Sequence, residues 1–160
     1  EALIWHKRNP IRRHHLSSPS PQNPCYRAEH EYLLIFSKNG WEMTPENEGA
    51  PVDLTEDMYR EYCSSVLSIT PQSKGVGNHP AVYPAALVEN ILPRHSFVGD
   101  TGCDFSNGSG TTTAVAERMG RRWFGGDISS KYCKAANIRT NKAYKQCLES
   151  IEECNEKKAA

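Results

Sequence analysis

Residues 99–128, GDTGCDFSNGSGTTTAVAERMGRRWFGGDI, contain the pattern that decides the fold of this 160-residue chain. The segment that ends at Asp104 predicts a strand, and the glycine-rich residues 105–110 predict a sharp turn. A helix over Thr111–Met119, closed by a glycine, and a second strand over residues 121–128 follow. A serine then caps a long final helix. This order of strand, turn, helix, strand and helix predicts a right-handed parallel crossover in an α/β sheet.

The turn and a downstream acid indicate a ligand. Gly108, Ser109 and Gly110 let the backbone approach a bound group, and the free amides at the following helix start face an anion. Asp127 stands 19 residues after Gly108 at the end of the next strand. A carboxylate there accepts hydrogen bonds from ribose hydroxyls. The pair therefore predicts a ligand with an adenosine-type sugar.

Other interpretations of these residues stay open. A phosphate-binding loop of an NTPase needs Lys where Thr111 stands, which argues against that class. A dinucleotide-binding fingerprint prefers Gly or Ala at the position of Thr113. A nicotinamide-dependent oxidoreductase is therefore an alternative that fits the pattern less well. The turn could also bind nothing. In that case Asp104 caps the turn and Asp127 caps the final helix.

The remaining chain predicts shorter elements around this unit. The segment ALIW (residues 2–5) predicts a strand, and EYLLIF (residues 31–36) a second, buried strand that pairs with it at a sheet edge. Three prolines in residues 17–24 require a loop. Further predictions are a helix over Thr55–Tyr62 capped by Thr55, a strand over residues 65–69, and a helix over Pro84–Leu92.

Charge and composition limit the function classes. The net charge is zero, but residues 6–15 hold four Lys and Arg, three His and no acid. Such a loop can contact phosphates, so the candidate DNA-binding residues are Lys7, Arg8, Arg12 and Arg13. The chain has no apolar run long enough for a membrane-spanning helix. It begins at Glu1 directly before an apolar stretch, which predicts a fragment of a longer protein.

The six cysteines favour packing over metal binding. No C-x-x-C pair occurs, and the six histidines show no ligand spacing, so we expect no metal site. Cys133, Cys147 and Cys154 are spaced by multiples of seven and share one helix face with small residues, namely Ala136, Thr140 and Ala143. Reduced thiols that pack in a cytosolic protein are the favoured interpretation.

Four segments resemble one family. Residues 104–112, DFSNGSGTT, resemble the D-P-F-x-G-S-G-T-T signature of S-adenosylmethionine-dependent DNA amino-methyltransferases, and residues 79–84, HPAVYP, are similar to the H-P-A-x-F-P element of a circularly permuted subclass called beta. The segment RRWFGGDISSKYC resembles the R-R-F-I-G-x-D/E-I-x-x-x-Y-C continuation of that family. The segments IWHKRNP and HEYLLIFSK resemble two stretches that follow the catalytic motif.

The resemblance implies a Rossmann-like α/β sheet, mostly parallel with an antiparallel edge pair, and incomplete in this chain. In the permuted order, the catalytic D/S-P-P-Y/W motif lies first, and no P-P-Y or P-P-W occurs here. The catalytic residues are therefore unknown. Residues 1–40 would be the end of the catalytic half, residues 41–78 a linker or recognition region, and residues 79–160 the cofactor-binding half.

The resemblance also implies the site. S-adenosylmethionine would be the cofactor, and double-stranded DNA with a flipped adenine or cytosine the substrate. The residues implied in cofactor binding are His79, Pro80, Tyr83, Asp104, Phe105, Gly108, Ser109, Gly110, Thr111, Thr112 and Asp127. Phe105-Ser106 replaces the Pro-Phe of the signature and weakens the expected contact with the methionine side. The partner would be the missing N-terminal part or a second copy, in the cytoplasm. A non-catalytic remnant that binds the cofactor or DNA is the alternative.

Overall fold

A computed structural model describes residues 1–8, 29–72 and 82–159, which form a mixed α/β fold. The strands are β1 (Ala2–Lys7), β2 (His30–Leu34), β3 (Val66–Ile69), β4 (Thr101–Asp104) and β5 (Arg122–Gly125). The helices are α1 (Glu56–Tyr62), α2 (Ala85–Ile91), α3 (Thr111–Arg118) and α4 (Ser130–Ala159), and a 3₁₀ turn over Leu92–Arg94 follows α2. The predicted order of elements is confirmed, with β5 three residues shorter at its end than its predicted span.

The first sheet has the strand order β2-β1-β3. Strand β1 pairs antiparallel with β2 and parallel with β3, so the predicted antiparallel edge pair is confirmed. Leu3 and Trp5 of β1 and Leu67 of β3 are buried against Leu87 of α2. The Trp5 indole Nε1 donates to the Ile69 carbonyl at 2.9 Å, which satisfies the polar atom of this core side chain.

The second sheet is the parallel pair β4–β5, joined by α3 as the crossover. Helix α4 packs along α3 through a stripe of small residues. Ala136, Thr140 and Ala143 are buried, and Cys133 and Cys147 flank them half-buried. The predicted small-residue face is confirmed for these five positions, while the side chain of Cys154 lies outside the described residues. Cys63, Cys103, Cys133 and Cys147 are free thiols.

Residues 46–53 hold the amino ends of β4 and β5. Arg121 is 3% exposed, and its guanidinium forms a bidentate pair with the Asp53 carboxylate. Glu46 accepts from the Thr101 amide at 3.2 Å and pairs with Arg122. These contacts lie at the end of the strand pair opposite the glycine-rich turn, which follows the carboxyl end of β4. The recognition role expected for residues 41–78 stays a prediction.

Among the described residues, one face of each sheet is largely exposed, and we call these the outer faces. They comprise Tyr32, Leu34 and Val66 in the first sheet, and Cys103 and Phe124 in the second. Tyr32 is 63% and Leu34 60% exposed. The expectation that residues 31–36 form a buried strand is therefore wrong. Strand β2 is an edge strand with β1 as its neighbour, and within this strand Leu33 is the half-buried residue that packs against the core.

Candidate cofactor-binding site

The glycine-rich turn after β4 has a backbone that favours glycine. Gly108 and Gly110 have φ angles of 51° and 77°, in the left-handed region. The Gly110 amide donates to the Asn107 carbonyl at 2.8 Å, and the Asn107 amide donates to the Gly126 carbonyl at 2.9 Å. A Cβ at Gly110 would lie 2.8 Å from both Cα and Cβ of Ala136. The turn is therefore held between β5 and α4, with no room for a side chain at Gly110.

Asp127 connects this turn to the start of α4. Its Oδ2 accepts from the Gly108 amide at 3.0 Å, and its Oδ1 accepts from the Ser129 amide at 2.8 Å. The structure thus brings together the two features that the sequence paired. A carboxylate has about four acceptor positions, so about two remain for a ligand. Because the carboxylate is already fixed by two amides, it needs no rearrangement to accept from a sugar hydroxyl.

The start of α3 leaves backbone amides without an acceptor inside the helix. Its N-cap is Gly110, and no side chain caps the helix. The first amides of a helix have no partner within it, so those of Thr111, Thr112 and Thr113 are available. Since the helix dipole also places partial positive charge there, this end favours an anionic group.

Asp104 accepts hydrogen bonds from the turn and from Tyr83. Its Oδ1 accepts from the Ser106 amide at 3.0 Å, and its Oδ2 accepts from the Tyr83 hydroxyl at 3.4 Å. The Tyr83 hydroxyl also shares a hydrogen bond with Thr112. Burial raises the pKa of Tyr83, the Thr112 bond opposes this, and the Asp104 charge adds to the rise. The phenol therefore stays protonated at neutral pH and can donate.

The side chains of the turn itself face inward. Ser109 and Thr111 are each 3% exposed, so their side chains offer little surface to a ligand. Phe105 instead lies on the outer side, 78% exposed, with its ring edge-to-face against Phe124 at 6.4 Å. The structure therefore separates Phe105 from the Tyr83–Thr112 contact, and its expected role in binding stays a prediction.

Other predicted site residues lie apart from the turn or outside the described residues. Lys7 pairs with Glu31 and lies 5.3 Å from the Trp5 ring centroid, while Arg8 is exposed just after β1. Arg12, Arg13, His79 and Pro80 fall in the residues that the structure does not describe. The DNA contacts expected of the four basic residues stay predictions.

Two further residues at the site were not found from the sequence. Arg139 of α4 donates from Nη1 to the Thr111 Oγ1 at 2.7 Å, and burial lowers the pKa of its guanidinium. Ile128 is fully exposed beside Asp127. Neither residue stands out in the sequence, because an Arg on a long polar helix and an Ile at a strand end are both common. The sequence offers one indication of Ile128, namely that it is an apolar residue directly after Asp127, the acid predicted to bind ribose.

A cavity of about 160 Å³ lies along β4 beside this site, and its lining includes Asp104, Thr112, His95 and Trp123. Pockets that enclose cofactors usually measure about 300–1,000 Å³. This cavity is therefore too small to enclose a cofactor by itself. In the same part of the chain, no three His, Cys, Asp or Glu side chains are placed to hold a metal ion. None of the described helices is long and apolar enough to cross a membrane.

Comparison with known proteins identifies a family that this chain matches. The model of the DNA methylase family that contains N6 and N4 amino-methyltransferases matches residues 1–138. This chain belongs to that family. The type II methyltransferase M2.DpnII of Streptococcus pneumoniae is 42% identical over 66 residues, which cover 41% of this chain and 25% of that protein.

Solved methylases share the fold. TTHA0409, a DNA modification methylase of Thermus thermophilus solved with S-adenosyl-L-methionine, matches with a TM-score of 0.69 and 26% identity over 89% of this chain and 53% of that one. The PvuII cytosine-N4-specific DNA methyltransferase matches with a TM-score of 0.63 and 21% identity, over 93% of this chain and 57% of that one. The chain thus spans just over half the length of these methylases.

Proposed function

We propose that this chain is the S-adenosylmethionine-binding part of a DNA amino-methyltransferase of the permuted beta subclass. The whole enzyme would transfer a methyl group to the exocyclic amine of adenine or cytosine in DNA, as one half of a restriction-modification system. One observation carries this proposal. The Gly108 amide donates to the Asp127 carboxylate at 3.0 Å, which holds this carboxylate beside a helix start without a side-chain cap.

The residues present fit this cofactor. The amides at the start of α3 suit the carboxylate of its methionine part, and Asp104 suits the ammonium group. Asp127 keeps acceptor positions for the ribose hydroxyls. The exposed Ile128 suits one face of the adenine ring. When bound, the cofactor supplies the electrophilic methyl group, and the role of these residues is to orient it.

Two features support the proposal that the active enzyme contains a further polypeptide part, which packs against the described residues. The cavity of about 160 Å³ is too small to enclose a cofactor, and the outer faces expose apolar side chains. A parallel strand pair such as β4–β5 is usually covered on both faces. We propose that the catalytic motif lies in this further part, supplied by the same protein or by a second copy.

The substrate would be double-stranded DNA. An exocyclic amine lies within the base stack, so the base would be flipped out to reach the methyl group. Arg8, exposed after β1, and the basic residues that follow it would contact phosphates in this proposal. Such an enzyme acts where DNA and its cofactor are present, which for this protein would be the cytoplasm.

Calorimetric titration of the chain with S-adenosylmethionine tests the cofactor assignment. We expect binding, and the D127N variant should weaken it about tenfold, because an amide is a poorer acceptor for ribose hydroxyls than a carboxylate. The D57N variant is the matched control, since Asp57 lies in the first turn of the exposed helix α1.

A titration with NAD completes this experiment. Binding of NAD in preference to S-adenosylmethionine would favour the oxidoreductase alternative and contradict the proposal. Equal affinity of the D127N and wild-type chains for S-adenosylmethionine would remove Asp127 from the site.

A further inference from the structure

We propose that Arg139 of helix α4 is a positioning residue of the cofactor site, which increases the positive potential at the start of α3 for the carboxylate of the bound cofactor. This inference rests on the proposed function, since it assigns a role toward the same ligand. It adds a residue from a different helix, some 30 positions after the glycine-rich turn.

The location of Arg139 is the first step. Its Nη1 donates to the Oγ1 of Thr111 at 2.7 Å, and Thr111 is the first residue of α3. The guanidinium therefore lies beside the end of α3 that already carries partial positive charge. A cation at this end is unfavourable for the helix by itself. A negatively charged group bound between the guanidinium and the helix start would turn this unfavourable electrostatic interaction into a favourable one.

The surroundings of Arg139 supply no such partner among the described residues. The five ion pairs found there join Lys7, Arg60, Arg118, Arg121 and Arg122 to carboxylates, and Arg139 is in none of them. The titratable neighbours that act on the pKa of Arg139 are Tyr83, which is neutral at physiological pH, and Arg118, whose positive charge repels it. Fully buried cations are usually paired, and Arg139 is half-buried with no carboxylate beside it among the described residues.

Two nearby arginines differ from Arg139, because each of them pairs with a carboxylate. Arg118 on α3 is more exposed than Arg139, yet it pairs with Glu89 of α2. Arg121, which is almost fully buried, pairs with Asp53. Arg139 instead donates to a neutral hydroxyl at the place where we expect the cofactor carboxylate. The geometry therefore fits a guanidinium that completes its charge balance when the ligand is bound.

Paired titrations with S-adenosylmethionine and its decarboxylated analogue test this role. The analogue lacks the carboxylate and keeps the ammonium and sulfonium groups. We expect R139Q to weaken S-adenosylmethionine binding about tenfold and to leave the affinity for the analogue unchanged or slightly higher. The R139K variant should stay within about threefold of the wild type, because it keeps the charge.

Two further variants separate charge from structure. T111V removes the hydrogen bond of Arg139 and keeps the charge, so it should change the affinity less than R139Q does. K142A removes an exposed cation from the same helix and should change neither affinity. Thermal unfolding without ligand identifies any variant that is destabilised, and if R139Q does not fold, R139K and T111V still compare charge with hydrogen bonding.

Equal weakening of both ligands by R139Q would show a structural role and overturn the inference. Unchanged affinity for S-adenosylmethionine in R139Q would overturn it while leaving the proposed function intact. If the wild-type chain binds neither ligand, the proposed function and this inference both fail.

Discussion

The two sides of the sheets in this protein are packed very differently. On the side of the helices, Leu3 is 8% and Val115 1% exposed, and α3 and α4 approach closely enough to exclude a Cβ at Gly110. On the outer faces, Leu34 and Phe124 are each 60% exposed. The glycine-rich turn and Asp127 are therefore fixed by contacts within the chain, whereas the outer faces have no cover among the described residues.

The helix side and the outer faces therefore have different proposed roles: the first holds the cofactor, and the second contacts the rest of the enzyme. Burial of one large apolar side chain contributes about 1.5–3 kcal/mol, so covering Tyr32, Leu34 and Phe124 would contribute several kcal/mol to an interface. A patch of this kind on a sheet commonly marks an interaction surface. The residues that we propose to bind the cofactor are thus held in place by contacts on the helix side. The outer faces are where we propose that the rest of a methylase packs.

The largest test of this comparison is G110A. A Cβ at Gly110 meets Ala136 at 2.8 Å and the residue has a φ of 77°, so we expect unfolding free energy to fall by about 4 kcal/mol. G49A is the control, because Gly49 has a φ of 75° and open space around it. It should cost about 1–2 kcal/mol, from backbone strain alone. Urea unfolding measures both, and equal losses would contradict the close α3–α4 approach.

The next test compares two leucines of one sheet. L3A removes a buried side chain and should lower the unfolding free energy by about 3 kcal/mol. L34A, on the outer face of the neighbouring strand, should change it by less than about 0.5 kcal/mol. Urea unfolding at several protein concentrations provides the measurement. A large loss for L34A that depends on concentration would mean that a second copy covers the outer face.

The smallest test uses His95, which lines the cavity on the helix side. Burial lowers the pKa of His95, neighbouring Arg94 lowers it further, and Glu1 acts in the opposite direction. The folded state therefore binds fewer protons than the unfolded state, so stability falls as the pH drops through about 6.5 and below. H95Q should lose this part of the pH dependence, about 1 kcal/mol or less, in thermal unfolding between pH 5 and 8. If the stability of H95Q and of the wild type changes with pH in the same way, His95 is solvated in the folded protein and the prediction is wrong.

Local chemistry explains which parts of the fold could be predicted. Thr55 precedes an acidic first turn and accepts from the Met58 amide, as expected of a cap. Gly120 follows α3 with a φ of 71°, as expected of a helix end. These signals act within a few residues, so the sequence is enough to recognise them. The same holds for the turn at Gly108 and for the acid at position 127.

Burial could not be predicted in the same way. The apolar run in residues 31–36 predicts a strand, but its exposure depends on which elements lie against it. The role of Arg139 likewise depends on how α4 packs on α3, which brings position 139 to Thr111 across 28 residues. No local pattern reports such a contact.

By itself, then, the sequence determined the strand–turn–helix unit, its paired acid and the small-residue face of α4, because steric and hydrogen-bonding rules act over short distances. The tertiary structure alone decided that Asp127 is held by the Gly108 amide, that Arg139 reaches the start of α3, and that one face of each sheet is largely exposed in the part of the chain that the structure describes. Those features depend on how distant segments pack, and packing is a property of the whole fold.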